Sequence, residues 1–259
     1  MKSYRGYLLD LDGTIYRGKE VIPEAVAFIR ELRQANIPFL YLTNNSSATP
    51  EQVAQRLTAM GVATAPEEVY TSSMATASYL QERYPLGTEV YTIGEEGLYT
   101  ALAEIGCIQQ EQQPRVVIAG IDRAFSYEKL TKAAAALRNG ALFLATNRDP
   151  ALPTERGLMP GNGSLVAAIA TASGVEPIVI GKPERIIVDF ALARLGTTKE
   201  ETLIVGDNLL TDIGAGVNSG LDSLLVMTGY SRPDDLGSSA WQPAHVAEDL
   251  MEWWRRMNA

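Results

Sequence analysis

Asp10 and Asp12 stand two residues apart directly after the apolar run Tyr7-Leu8-Leu9, in the stretch Asp10-Leu11-Asp12-Gly13-Thr14. A strand turns successive side chains to opposite faces, so the two carboxylates point one way while Leu11 points the other. Gly13 then lets the backbone turn sharply beside them. Two carboxylates leaving one strand end can attack a phosphate and supply a proton. Taken alone, the same residues also describe a strand followed by an acidic turn.

Three further apolar runs end in polar residues suited to that chemistry. Phe39-Leu40-Tyr41-Leu42 delivers Thr43-Asn44-Asn45, a hydroxyl and two amides. Ile178-Val179-Ile180-Gly181 delivers Lys182, ahead of a helix expected to open at Pro183. Thr202-Leu203-Ile204-Val205-Gly206 delivers Asp207-Asn208, followed by Thr211-Asp212-Ile213. Singly, these read as an Asn-rich turn, a solvated lysine, and an Asp-Asn turn with an acidic first helical turn.

In this order the four stations resemble the four motifs of the haloacid dehalogenase (HAD) superfamily, and the resemblance spans nearly the whole chain. It implies that Asp10 is a nucleophile and Asp12 a general acid and base. It further implies that Thr43 and Asn44, with Lys182 and the backbone at Leu11 and Gly13, bind the phosphoryl group. Mg²⁺ would then be held by Asp10, the backbone carbonyl of Asp12 and Asp207, with Asn208 and Asp212 supporting it. Mg²⁺ favours hard oxygen ligands and few protein carboxylates, which this set provides.

The elements that position these residues alternate in type. Strand signals at 5–10, 37–43, 69–73, 178–181, 202–206 and 223–227 are separated by helical stretches, among them 24–35 with helical spacing at Val26, Ile29, Leu32 and Arg33. That is the pattern of a doubly wound, Rossmann-like parallel α/β sheet, in which active sites gather at the carboxyl ends of the strands.

Thirty residues separate Asp12 from Thr43, room for a short flap, one helix and one strand. Between Asn45 and Lys182 there are 136, far more than one crossover needs. This excess has its own alternation, with strands at 89–93, 115–119 and 141–146 and helices near 95–105, 126–139 and 162–173. The expected organisation is therefore a core of residues 1–78 and 178–259 with an inserted α/β domain at 79–177. An insertion at that place resembles the C2 cap of the NagD-like, nitrophenylphosphatase-type branch. Within it Thr146-Asn147-Arg148-Asp149 resembles a cap loop of that branch, implying that Asn147 and Asp149 contact substrate. A polar turn before Pro150 is the plainer reading of the same residues.

The 259 residues, 46% hydrophobic and 20% charged, suffice for a full core, and no apolar run approaches the roughly 18 residues of a membrane span. Met1–Gly6 leads straight into the first strand instead of a signal segment, so cytoplasmic residence is expected. A net charge of −9 opposes binding to nucleic acid or an anionic membrane. One histidine, His245, and one cysteine, Cys107, leave no parts for a Ser-His-Asp triad, a His-rich zinc site or an internal disulfide. Gly214-Ala215-Gly216-Val217-Asn218-Ser219-Gly220 has the wrong spacing and context for a dinucleotide loop. Trp253 and Trp254 read as packing residues with a dimer contact as the alternative, and a large exposed sheet in the inserted domain is compatible with a homodimer.

The resulting expectation is an Mg²⁺-dependent phosphatase acting on small phosphate monoesters through an aspartyl-phosphate. A phosphotransferase using the same intermediate is the alternative. A phospho-Asp signalling domain of the receiver type would place its aspartate on a middle strand and carry no large insertion.

Overall fold

A computed structural model describes residues 2–154 and 157–259. The chain divides into two compact units, one of residues 1–43, 51–70 and 182–259 and the other of residues 44–50 and 71–181.

The first unit is built on a six-stranded sheet ordered His245–Ala247, Asp222–Val226, Thr202–Gly206, Gly6–Leu9, Phe39–Thr43, Val69–Thr71. Pairing is parallel from the His245 edge through Phe39–Thr43. The strands Gly6–Leu9, Phe39–Thr43 and Thr202–Gly206 are fully buried because helices cover both faces, which is why they read as unbroken apolar runs and not as alternating ones. Helix Pro23–Gln34 shows how its sequence specifies one of these covers. Pro23 occupies its first turn, and Ala25, Phe28, Ile29 and Leu32 form the buried stripe. The terminal helix Leu250–Met257 starts where the Asp249 carboxylate accepts from the amides of Met251 and Glu252. It buries Trp253 completely against Tyr4 and His245, and sets the Trp254 ring edge-on to Phe28. Helix Gly214–Ser219 lies so near the sheet that a Cβ on Gly216 would fall 2.8 Å from Ile204. Close packing thus accounts for that glycine.

The second unit carries a five-stranded parallel sheet ordered Ile178–Val179, Leu142–Ala145, Val116–Ala119, Glu89–Ile93, Ile108–Gln109. Alternate residues on each strand serve different cores. Val90, Val116, Ile118 and Leu144 pack with Leu80, Leu98 and Leu102 of helices Ser72–Arg83 and Glu96–Glu104, where Cys107 also lies as a partly buried apolar residue. Tyr91, Val117, Ala119, Phe143 and Ala145 pack instead with Ala133, Leu137, Val166 and Ile169 of helices Tyr127–Arg138 and Asn162–Ser173. A separate antiparallel pair joins Ala151–Thr154 to Gly157–Pro160.

Three expectations need correction. The segment 178–181 is not a core strand: Ile178 and Val179 pair with Leu144 and Ala145 in the second sheet. The core sheet is extended instead by His245–Ala247, a strand the apolar pattern does not mark. Helix Arg185–Leu195 opens two residues after Pro183, whose bond to Lys182 is cis. The expected seam at 78/79 would also cut helix Ser72–Arg83, which belongs whole to the second unit because Leu80 packs in its core.

Candidate active site

Parallel register brings the core motifs to one edge of the first unit. Leu9 lies opposite both Tyr41 and Val205, so Leu11, Thr43 and Asp207 each leave their strands two residues beyond a shared level. The Asp10 amide still donates to the carbonyl of Val205, which fixes where its side chain departs. The chain then folds tightly: Gly13 takes φ +83° and donates to Tyr16, while the Leu11 carbonyl accepts from Ile15.

Asp10, Asp207 and Asp212 each place a carboxylate oxygen within 4.8 Å of the others. One ammonium serves this group. Lys182 Nζ lies 2.5 Å from Asp10 Oδ1 and 2.6 Å from Asp212 Oδ1, with its side chain 3% exposed. The second Asp212 oxygen accepts from the Asn208 amide at 3.1 Å, and the Asn208 side chain accepts from Leu210 to open the wide turn Leu209–Ile213. The sequence-derived residues Asp10, Lys182, Asp207, Asn208 and Asp212 therefore meet in one cluster. Thr43 is buried at its strand end.

Three carboxylates around one lysine leave an excess of buried negative charge. Burial, and then the charges of Asp212 and Asp207, hold the Asp10 carboxyl well above the usual carboxylate range against the opposing pull of Lys182. Burial and Asp212 push Asp207 up to about 7. Lys182 stays firmly protonated because Asp10 and Asp212 outweigh the burial that opposes its charge. A hard divalent cation would relieve this repulsion, and the all-oxygen donor set fits Mg²⁺. Asp12 lies farther out, raised by burial and held back by the Arg56 guanidinium and the Gly18 amide. Arg56 also donates to the Tyr16 hydroxyl and stacks over its ring.

The polar residues expected in the cap form their own network in the second unit. Asn147 Nδ2 donates to the backbone carbonyl of Asn44 at 2.9 Å, and its Oδ1 accepts from the Asp149 amide at 3.0 Å. The Asn44 amide in turn donates to both Asp149 oxygens at 3.1 and 3.2 Å. Asn162, at the start of its helix, donates to the carbonyls of Ala119 and Asn147. Asn147 is thus a brace for neighbouring loops, whereas Asn44 presents its side chain to Asp149.

Sequence reasoning passed over the segment Thr228–Ser231, which closes on Asp207 from the strand beside it. Its signal was available: it follows the apolar strand Asp222–Val226 at the same carboxyl edge as the recognised motifs.

A parallel α/β core with this carboxylate and lysine cluster defines an HAD hydrolase. The family comparison agrees, since a haloacid dehalogenase-like hydrolase model matches residues 7–108 and a second HAD-like hydrolase model matches residues 179–253. The chain belongs to this family, and within it to the NagD-like, nitrophenylphosphatase-type phosphatases of subfamily IIA. It is 47% identical to 5'-nucleotidase YutF of Bacillus subtilis, with 98% of each chain covered. Acid sugar phosphatase of Staphylococcus aureus is 46% identical over 97% of each chain. A thermostable NPPase from Geobacillus stearothermophilus superposes with a TM-score of 0.92 at 49% identity, covering 98% of this chain and 99% of that one. The protein is a phosphatase of small phosphate esters.

Proposed function

We propose that this phosphatase hydrolyses small phosphate monoesters in an Mg²⁺-dependent reaction with a covalent phosphate on Asp10. The observation that carries the reading is the set of Asp10, Asp207 and Asp212 oxygens within 4.8 Å, balanced by the single ammonium of Lys182. Asp10 and Asp207, with the Asp12 carbonyl, would hold Mg²⁺. When bound, it supplies positive charge that lets a carboxylate approach a phosphate dianion.

In the first half-reaction an Asp10 oxygen attacks phosphorus as the bond to the leaving oxygen breaks, and Asp12 gives that oxygen its proton. In the second, water attacks the acyl phosphate, its proton returns to Asp12, and the phosphorus–Asp10 bond breaks to release inorganic phosphate. Thr43, Asn44, Lys182 and the amides at Leu11 and Gly13 would hold the phosphoryl oxygens. The pKa of Asp12, raised by burial, suits a group that must carry a proton when substrate arrives. Asn147 and Asp149, which the resemblance of the cap loop marks as substrate contacts, would read the leaving group, and Asp149 is held by Asn44 within the second unit.

The names of the relatives set the panel for a test: nucleoside monophosphates, sugar phosphates and p-nitrophenyl phosphate. Release of inorganic phosphate from at least one of these with Mg²⁺, abolished by a chelator and restored by added Mg²⁺, is the expected result. Release that a chelator leaves unchanged would refute the metal-dependent route.

A further inference from the structure

Asp207 is held from three directions, by backbone groups of Gly229, Tyr230 and Ser231 outside the four motifs and by Gly13 of the first. The Tyr230 amide donates to Asp207 Oδ2 at 2.5 Å, and the Ser231 amide donates to the Asp207 backbone carbonyl at 3.0 Å. Ser231 Oγ accepts from the Leu209 amide, which ties the same loop to the turn carrying Asp212. The third direction is defined by missing side chains. A Cβ on Gly229 would fall 2.0 Å from Asp207 Oδ2, and one on Gly13 would fall 2.2 Å from the same oxygen. The carboxylate thus sits between two backbones with no room for a methyl group on either.

Thr228 joins those two backbones. Its Oγ1 donates to the Gly13 carbonyl at 2.6 Å, and its own carbonyl accepts from Arg17 Nε of the short strand Tyr16–Arg17. Thr228 and Ser231 are buried, and the hydroxyl oxygen of each has a protein partner there.

We infer that the segment 228–231 is a clamp that fixes the metal-binding carboxylate of Asp207 against the Gly13 turn, with Thr228 as its positioning residue. This inference rests on the proposal that Asp207 binds a divalent cation. A carboxylate at a strand end has two free side-chain torsions, and a ligand that must be aimed before the cation arrives binds it more weakly. The Tyr230 amide and the glycine cradle fix those torsions, and the Thr228 hydroxyl keeps the two halves of the cradle at a constant separation. Partners behind the ligands commonly govern metal affinity in this way.

The test uses the full chain and Mn²⁺ alone as probe, without substrate. Mn²⁺ affinity is measured by titration with electron paramagnetic resonance, and thermal stability is measured separately in chelator. Thr228→Val keeps the shape and removes the hydroxyl, and it is expected to weaken Mn²⁺ binding about 10-fold, whereas Thr228→Ser retains near-native affinity. Gly229→Ala, which crowds the carboxylate directly, is expected to weaken it at least as much and stands in if Thr228→Val fails to fold. A Thr228→Val protein that melts earlier but binds Mn²⁺ as the native chain does would overturn the clamp while leaving the metal site standing. A native chain that binds no Mn²⁺ would overturn the metal reading, and the clamp with it.

Discussion

Lys182 Nζ sits 2.5 Å from Asp10 Oδ1, a contact between the first residue after the second unit and the first residue after the opening strand. Both are largely buried, and the same ammonium also serves Asp212. Lys182→Met would leave two buried carboxylates without their cation, a loss on the order of 3 kcal/mol or more. Urea unfolding of the variant should show that loss, together with turnover below a hundredth of native. Native stability in the variant would mean that the pair contributes nothing to the fold.

Asp10→Asn keeps the shape of the side chain and leaves Lys182 its contact with Asp212. The chain should fold normally and lose turnover. Residual activity above about a hundredth of native, less than roughly 3 kcal/mol of barrier, would contradict a nucleophilic Asp10.

Removing the metal should expose a pH dependence. Asp207 has its folded pKa raised from 3.8 to about 7, so its contribution is fully favourable below 3.8 and is lost as pH rises through about 7. A bound cation replaces the proton and cancels that loss. The increase in melting temperature on adding Mg²⁺ to chelator-treated protein should therefore be larger at pH 8 than at pH 5.5. Equal increases would argue that no repulsion among these carboxylates awaits a cation.

Asn147→Ala removes the donor to the Asn44 carbonyl and the acceptor for the Asp149 amide. Ser72 Oγ still donates to the Asn44 carbonyl at 2.8 Å, so the cost is that of two lost hydrogen bonds, about 0.5–1.5 kcal/mol each. Differential scanning calorimetry should show a lowered transition. An unchanged transition would return Asn147 to the role of a pure substrate contact.

His245 lies at the amino end of its strand, 2.7 Å from the Tyr4 hydroxyl and with its ring 4.8 Å from that of Trp253. Burial lowers its pKa below 6.5, and Arg256 and Lys2 add to this while Asp222 opposes it. The neutral ring is the one the fold prefers, so its contribution is present above pH 6.5 and is lost as pH falls through the lower folded value. Measured in saturating Mg²⁺, His245→Gln should lose less melting temperature between pH 7.5 and pH 5 than the native chain does. Parallel curves would remove His245 from the account.

Asp10, Thr43 and Asp207 were legible because each stands at the end of a strand long enough to bury both faces. Gly6–Leu9, Phe39–Thr43 and Thr202–Gly206 announce themselves as apolar runs, and the polar residue that ends each one is conspicuous. Ile178–Val179 was assigned to the wrong sheet because two apolar residues have no period that says which neighbours they pair with. Thr228–Ser231 was missed for a different reason. Its contributions are backbone amides and an absent Cβ, whose partners Asp207 and Gly13 are brought near only by folding. His245–Ala247 is too short and too polar at its start to stand out as a strand.

The two-sided sheet of the second unit acts as a partition. Val117 and Ile118 are neighbours in the chain yet answer to different cores, so a volume lost on one side is not felt as a void on the other. Drift in the packing of helices Tyr127–Arg138 and Asn162–Ser173 can therefore accumulate without being copied to helices Ser72–Arg83 and Glu96–Glu104. A domain insulated in this way can explore new loops from one face while the other preserves its architecture.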